Sequence, residues 1–304
     1  MEPLFESIVT AGESILYFAW LPLIIWTLAA VMGWIILRTY TSLHPQIQYH
    51  GRLALMFALP AGFLGLLMIQ TAETYLFAGA AEPVNLSVIT ILNPIEIGVT
   101  ESNTAGIYTF SNFLIAGVFL FVVIGAVISL LRFVMQWLQL LKIKSLFHFI
   151  PLTELKELDS KNREQLSMIR NSIKIAFHHE EIVPVTFGYR NPVILLPDSL
   201  RNQTEKLNLA IRHELTHISQ NDFLSQVTTL CTGIFFWFHP FVHLLKKELI
   251  EYRELRCDSM VLSEENISRK EYASLLLELL HMPNLNKELS VNMAQESSNL
   301  KKRI

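Results

Sequence analysis

Three long uncharged runs constrain this chain more than any other feature. They cover residues 14–37, 53–72 and 113–131, and a helix needs about 20 apolar residues to cross the hydrocarbon core of a bilayer. Each run therefore predicts a membrane-spanning helix. Hydrophobic residues make up 51% of the 304, charged ones only 17%, and the mean hydropathy is +0.37. That balance excludes an ordinary soluble enzyme. Pro60, Gly62 and Gly65 lie inside the second run, where a membrane helix tolerates them better than a soluble one does. The first run does not read as a cleavable leader. It is too long, and Glu2, Glu6 and Glu13 precede it where a leader has basic residues.

The basic residues give the orientation. Of 24 lysines and arginines, only Arg38 and Arg52 precede Arg132, and both flank the short loop between the first two runs. Arg132, Lys142 and Lys144 follow the third run, whereas the stretch 73–111 carries Glu73, Glu82, Glu96 and Glu101 and no basic residue. Positive charge stays on the cytoplasmic side. The N-terminus and the 73–111 loop are thus expected outside, and everything after Arg132 inside. The expected division is a membrane domain at 1–140 and a cytoplasmic domain at 141–304. No charged residue falls within a run, which argues against metal transport. Cys231 and Cys257 form no C-x-x-C pair, and in the cytoplasm they stay reduced.

The second half alternates between elements. Residues 153–172 have helix-forming composition, and Ile173, Ile175 and Phe177 alternate as a strand does. The runs 182–187 and 192–196, joined across Gly188, predict a β-hairpin whose prolines put at least one strand at a sheet edge. Such an edge can pair with an extended peptide. A helix is expected from an N-cap at Thr204 to about Ser219, burying Leu207, Ala210, Ile211, Leu215 and Ile218. The fold class is mainly α: a multi-span helical membrane domain, with an α+β domain containing a small β-hairpin sheet.

Beside that buried stripe lies His213-Glu214-Leu215-Thr216-His217. Residues four apart share a helix face, so the two imidazoles can grip one metal ion. Glu214 is then directed at the open coordination position, where it can take a proton from water. Zn2+ suits nitrogen and oxygen ligands and lowers the pKa of its water to about 7. Residues 223–245 form a fourth uncharged stretch, about 34 Å long as one helix. A helix of that length would carry Glu254 to the far side of the membrane from His213. The stretch must fold back if Glu254 is a ligand, and His239-Pro240 is the natural break. Glu254 can complete a His2Glu set, although Glu251 stays open as an alternative. Asp258, one turn after Glu254, can accept the second N–H of a ligand histidine. His239 and His243 are reserve metal or oxyanion candidates, with a packing or capping role as the expected alternative for both. A closed structural site is the alternative, with Cys257 or His243 as the fourth ligand.

His213 to His217 followed by Asp222, and Arg253-Glu254-Leu255-Arg256-Cys257-Asp258, together resemble the BlaR/MecR-type family of membrane-embedded zinc metallopeptidases. These are the gluzincin-like antirepressor peptidases. The hairpin residues, Phe236-Trp237-Phe238-His239-Pro240, Tyr272-Ala273-Ser274-Leu275-Leu276 and Leu300-Lys301-Lys302-Arg303-Ile304 extend the resemblance. It implies a zincin-like domain in which His213, His217 and Glu254 ligate zinc and Glu214 is general base and acid. It further implies that Asp258 orients His213, while Asp222 closes a helix end or holds a neighbouring basic residue. The implied substrate is a cytoplasmic protein, a transcriptional repressor, cut in response to an outside signal at the bacterial inner membrane. Self-cleavage and a homodimer are compatible with it, and direct nucleic-acid binding is not expected. Arg253, Arg256, His243 and Tyr252 are candidate donors to the developing oxyanion. Members that sense β-lactams carry a further span and a penicillin-binding domain after the peptidase domain, so this chain is expected to be a sensor-less member or part of a longer receptor. Ser298-x-x-Lys301 matches a motif of such domains only by chance. The alternative function is a signal-transducing membrane protein whose metal site is structural or vestigial.

Overall fold

The computed structural model describes residues 2–76, 110–169, 172–179, 182–264 and 267–280. The acidic residues Glu82, Glu96 and Glu101 of the expected outer loop lie outside these residues, as do Ser298, Lys301 and the 300–304 tail. The three apolar runs lie in α1 (Glu2–Thr39), α2 (Pro45–Leu76) and α3 (Phe110–Leu146). All three are long and apolar enough to cross a membrane. The helices outlast the apolar runs because backbone hydrogen bonding continues wherever nothing breaks it. At the α1–α2 turn the Gln48 amide donates to the carbonyls of Leu37 and Tyr40, at 2.9 and 2.7 Å. It thereby satisfies acceptors that the end of α1 leaves open.

Arg52 is not a solvated loop charge. It is 1% exposed within α2, its Nε donates to Glu248 at 2.6 Å, and its guanidinium lies 3.8 Å from the Tyr252 ring centre. A buried charge persists only with such a partner.

A four-stranded sheet follows, ordered β1 (Ile150–Pro151), β2 (Lys174–His178), β4 (Val193–Pro197), β3 (Val185–Phe187). The expected hairpin is β3–β4, turning at Gly188 with φ +98, where a side chain would strain the backbone. The β2–β4 pairing is parallel. Every residue of β4 is buried, because successive side chains point to opposite faces and both faces are covered. Ile194 and Leu196 pack against Leu207, Ile211 and Leu215. Val193 and Leu195 pack with Leu140 at the end of α3 and with Phe223.

The helix expected at 153–172 is shorter. A 3-10 turn occupies Leu152–Glu154, and α4 runs only over Ser160–Met168. Asp159 stops it from starting earlier: its carboxylate accepts the Asn162 N–H at 2.6 Å as an N-cap. The next helix, α5 (Thr204–Ser219), begins where expected, but Gln203 rather than Thr204 holds the cap position, without a side-chain hydrogen bond.

The fourth apolar stretch folds back at the expected break, as α6 (Asp222–Phe235) and α7 (Pro240–Ser263). The tip of this hairpin is inserted between the long helices. Trp237 Nε1 donates to the Val122 carbonyl at 3.0 Å, His239 Nε2 meets the Thr27 hydroxyl at 3.0 Å, and the Phe236 and Phe63 ring centres are 5.4 Å apart with the planes tilted by 43°. Thr27, Phe63 and Val122 are each near the middle of an apolar run, so the tip reaches mid-depth among the three long helices. The last described helix, α8 (Arg269–Leu280), closes the core with Tyr272, Leu275 and Leu279.

Candidate metal centre

Two helices meet to form the site. From α5 come His213, Glu214 and His217, and from α7 comes Glu254. The two imidazole Nε2 atoms are 3.1 Å apart, and Glu254 Oε2 lies 3.6 Å from one and 3.7 Å from the other. Zinc bonds of about 2.0–2.1 Å in a tetrahedron put ligand atoms about 3.3–3.4 Å apart. The nitrogen and carboxylate donors therefore fit a zinc ion in both chemistry and spacing. Glu254 rather than Glu251 faces the imidazoles and lines the adjoining cavity.

Each histidine is held through its other nitrogen. His217 Nδ1 is 2.7 Å from Asp222 Oδ2. Asn221 makes that return possible: its left-handed φ of 55 turns the chain sharply between α5 and α6, and asparagine tolerates this conformation better than most residues. Asp222 also accepts from the buried Arg256 guanidinium, so it contacts His217 and a basic residue together. His213 Nδ1 is 3.4 Å from Asp258 Oδ1, but the shorter path runs through Tyr272. The Tyr272 hydroxyl donates to Asp258 at 2.6 Å and lies 2.8 Å from His213 Nδ1. Donating to Asp258, that oxygen can accept from His213 Nδ1, which leaves the lone pair on Nε2, the nitrogen that faces His217 and Glu254. No local spacing marks Tyr272, which stands on the next helix.

Glu214 is 4% exposed and lines the same cavity. Thr186 of the edge strand β3 donates to its Oε2 at 2.6 Å, a contact between residues 28 apart that no local spacing marks. Of the four candidate oxyanion donors only Arg253 lines the cavity, with its Nη1 3.2 Å from Gln226. The other three are engaged elsewhere. Arg256 is beneath Asp222, Tyr252 covers Arg52, and His243 bonds the Trp237 carbonyl near the hairpin tip.

The electrostatics favour protons in the metal-free site. Burial pulls His213 down, but the Cys257 thiolate and Glu254 outweigh it and push the imidazole up to about 10. Burial opposes protonation of His217 as well, yet Cys257, Glu254 and Asp222 raise it well above its ordinary value. Asp222 is held below the carboxylate range: His217, Arg256 and Arg253 overcome the effect of burial. Zinc takes the neutral imidazole, so this raised proton affinity opposes metal binding, and zinc must displace a proton from the pair. Zinc affinity should fall on acidification and rise as the pH is raised. Calorimetric titration at pH 7 in buffers of different ionisation enthalpy should show proton release; a heat independent of buffer would contradict it.

His213, His217 and Cys257 form a second set of potential ligand atoms, all within 4.8 Å of one another. Cys257 Sγ, however, lies 3.4 Å from His213 Nδ1, and Cys257 does not line the cavity.

Known proteins supply a family match. The family described as BlaR1 peptidase M56 matches residues 17–304. The chain is 29% identical over 143 residues to the Regulatory protein BlaR1 of Bacillus licheniformis, covering 46% of this chain and 23% of that protein. It is 31% identical over 126 residues to the Regulatory protein BlaR1 of Staphylococcus aureus, covering 40% and 22%. The matched part is less than a quarter of the length of either relative.

Proposed function

This chain belongs to the BlaR1 peptidase M56 family, and from that premise we propose that it is a zinc endopeptidase of the bacterial cell membrane, of the gluzincin type. Its peptidase site faces the cytoplasm, its N-terminus lies outside, and its substrate is a cytoplasmic protein. A transcriptional repressor cut on receipt of an outside signal is the reading in keeping with relatives named as regulatory proteins; self-cleavage is compatible with it. The observation that carries the proposal is the convergence of His213 Nε2, His217 Nε2 and Glu254 Oε2 beside Glu214 in one cavity.

When bound, zinc would supply a Lewis acid for the scissile carbonyl and lower the pKa of water. Glu214, steadied by Thr186, takes the proton from the attacking water and passes it to the leaving amine. The edge strand β3 borders the cavity, so an extended peptide can pair along it. Arg253 is the cavity-lining cation closest to Glu254 along the chain, and it serves the charge that develops on the carbonyl oxygen. The test compares the proteomes of cells carrying the intact chain and the Glu214→Gln variant. A cytoplasmic protein fragment present only with the intact chain is expected. Identical fragment patterns would remove the proposal.

Cys257 near both histidines supports a second reading, a closed structural site that signals without cutting. The Cys257→Ala variant separates the two. An open His2Glu site keeps its zinc affinity within about threefold, since no ligand is lost; a drop of 10-fold or more would favour the closed site.

A further inference from the structure

We infer that Tyr49, on the second membrane helix, is a positioning residue for the metal site, acting through Asp222 on His217. The inference rests on the reading of His213, His217 and Glu254 as zinc ligands. Tyr49 is 3% exposed and reaches Asp222 by two routes. Its ring face lies 4.1 Å from the Arg256 guanidinium carbon, and that guanidinium donates to Asp222 Oδ1. Its hydroxyl is 2.8 Å from Ser225 Oγ, which in turn donates to the Asp222 backbone carbonyl at 2.9 Å. Asp222 Oδ2 then holds His217 Nδ1 at 2.7 Å.

The physical case is one of orientation. A carboxylate that holds a ligand histidine sets the direction of the metal-facing nitrogen, and loss of such a partner costs 10–100-fold in metal affinity. Asp222 keeps its place only while Arg256 keeps its own, and an aromatic face is a favourable seat for a desolvated guanidinium. That seat comes from α2, whereas Arg256 is on α7 and Asp222 begins α6. Three helices therefore converge on the outer side of one ligand. A shift of α2 against the hairpin would tilt His217 with no change in the ligands themselves, which gives events in the membrane helices a path to the site.

The test uses the full chain in detergent, with zinc affinity measured by competition against a chromophoric chelator and the cobalt(II)-loaded site followed by its visible spectrum. Tyr49→Leu, which removes the ring and the hydroxyl, should weaken zinc binding about tenfold and shift the cobalt bands. Tyr49→Phe keeps the ring face and should stay within about threefold of the wild type. Leu59→Ala is the control for loosened packing, because Leu59 is 2% exposed on the same helix and packs in the cluster with Val242 and Leu245. It should lower thermal stability and leave the zinc affinity and cobalt spectrum unchanged. Wild-type affinity in Tyr49→Leu overturns the inference alone, and so does an equal loss in Leu59→Ala. A wild-type chain that binds no zinc overturns the metal-site reading, and this inference with it.

Discussion

Exchanging Glu214 for glutamine is expected to leave zinc bound and to lower peptide-bond hydrolysis by about 10²–10⁴-fold, the usual contribution of a general acid–base group. The exchange is nearly isosteric, and the amide oxygen can still accept from Thr186, whose hydroxyl now bonds Oε2 at 2.6 Å. What disappears is the ability to take a proton from water. Because the proposed ligands are His213, His217 and Glu254, metal content should stay at wild-type stoichiometry, measured by elemental analysis of the purified chain. Cleavage is read with a protein or peptide substrate identified from the proteome comparison. Full activity in the variant would sink the proposed role of Glu214, whereas loss of zinc would show that Glu214 acts as a ligand.

The second large effect concerns the inserted hairpin. A Cβ added at Gly125 would lie 2.0 and 2.1 Å from two Trp237 ring atoms, far inside van der Waals contact. Trp237 cannot step aside cheaply, since its Nε1 donates to the Val122 carbonyl one turn away on the same helix. Gly125→Ala should therefore push the hairpin tip out of place at an overpacking cost of about 1–3 kcal/mol. The hairpin carries Asp222 at one end and Glu254 in its second helix, so zinc affinity should fall together with thermal stability. The decisive measurement is a double-mutant cycle with Trp237→Ala, in which the added methyl group has space. The cost of Gly125→Ala should drop by more than about 1 kcal/mol in that background. Equal costs in both backgrounds would mean that the indole does not pack against Gly125.

Much of this is legible in the chain. The three apolar runs appear as three long helices, the stripe from Leu207 to Ile218 marks the buried face of α5, and His239-Pro240 marks where the fourth run turns. All are short-range signals, carried by residues within a turn or two of one another. The helix predicted over 153–172 failed because composition does not reveal which polar residue caps: Asp159 does, and α4 starts after it. Arg52 reads as a loop charge until Glu248, far along the chain, is seen beside it. Thr186 and Tyr272 stand in stretches that resemble the family, but nothing in their spacing shows that they reach Glu214 and His213.

Spacing along the chain is enough to say that three segments can cross a bilayer and that His213 and His217 share a face with Glu214 between them. Both follow from the fixed rise and turn of an α-helix, which tie spacing to position. That Glu254 faces the imidazoles, that Tyr272 stands between His213 and Asp258, and how deep the hairpin reaches emerge only from the packed helices. Those depend on how helices distant in sequence pack, and the number of residues between two helices does not set the angle at which they meet.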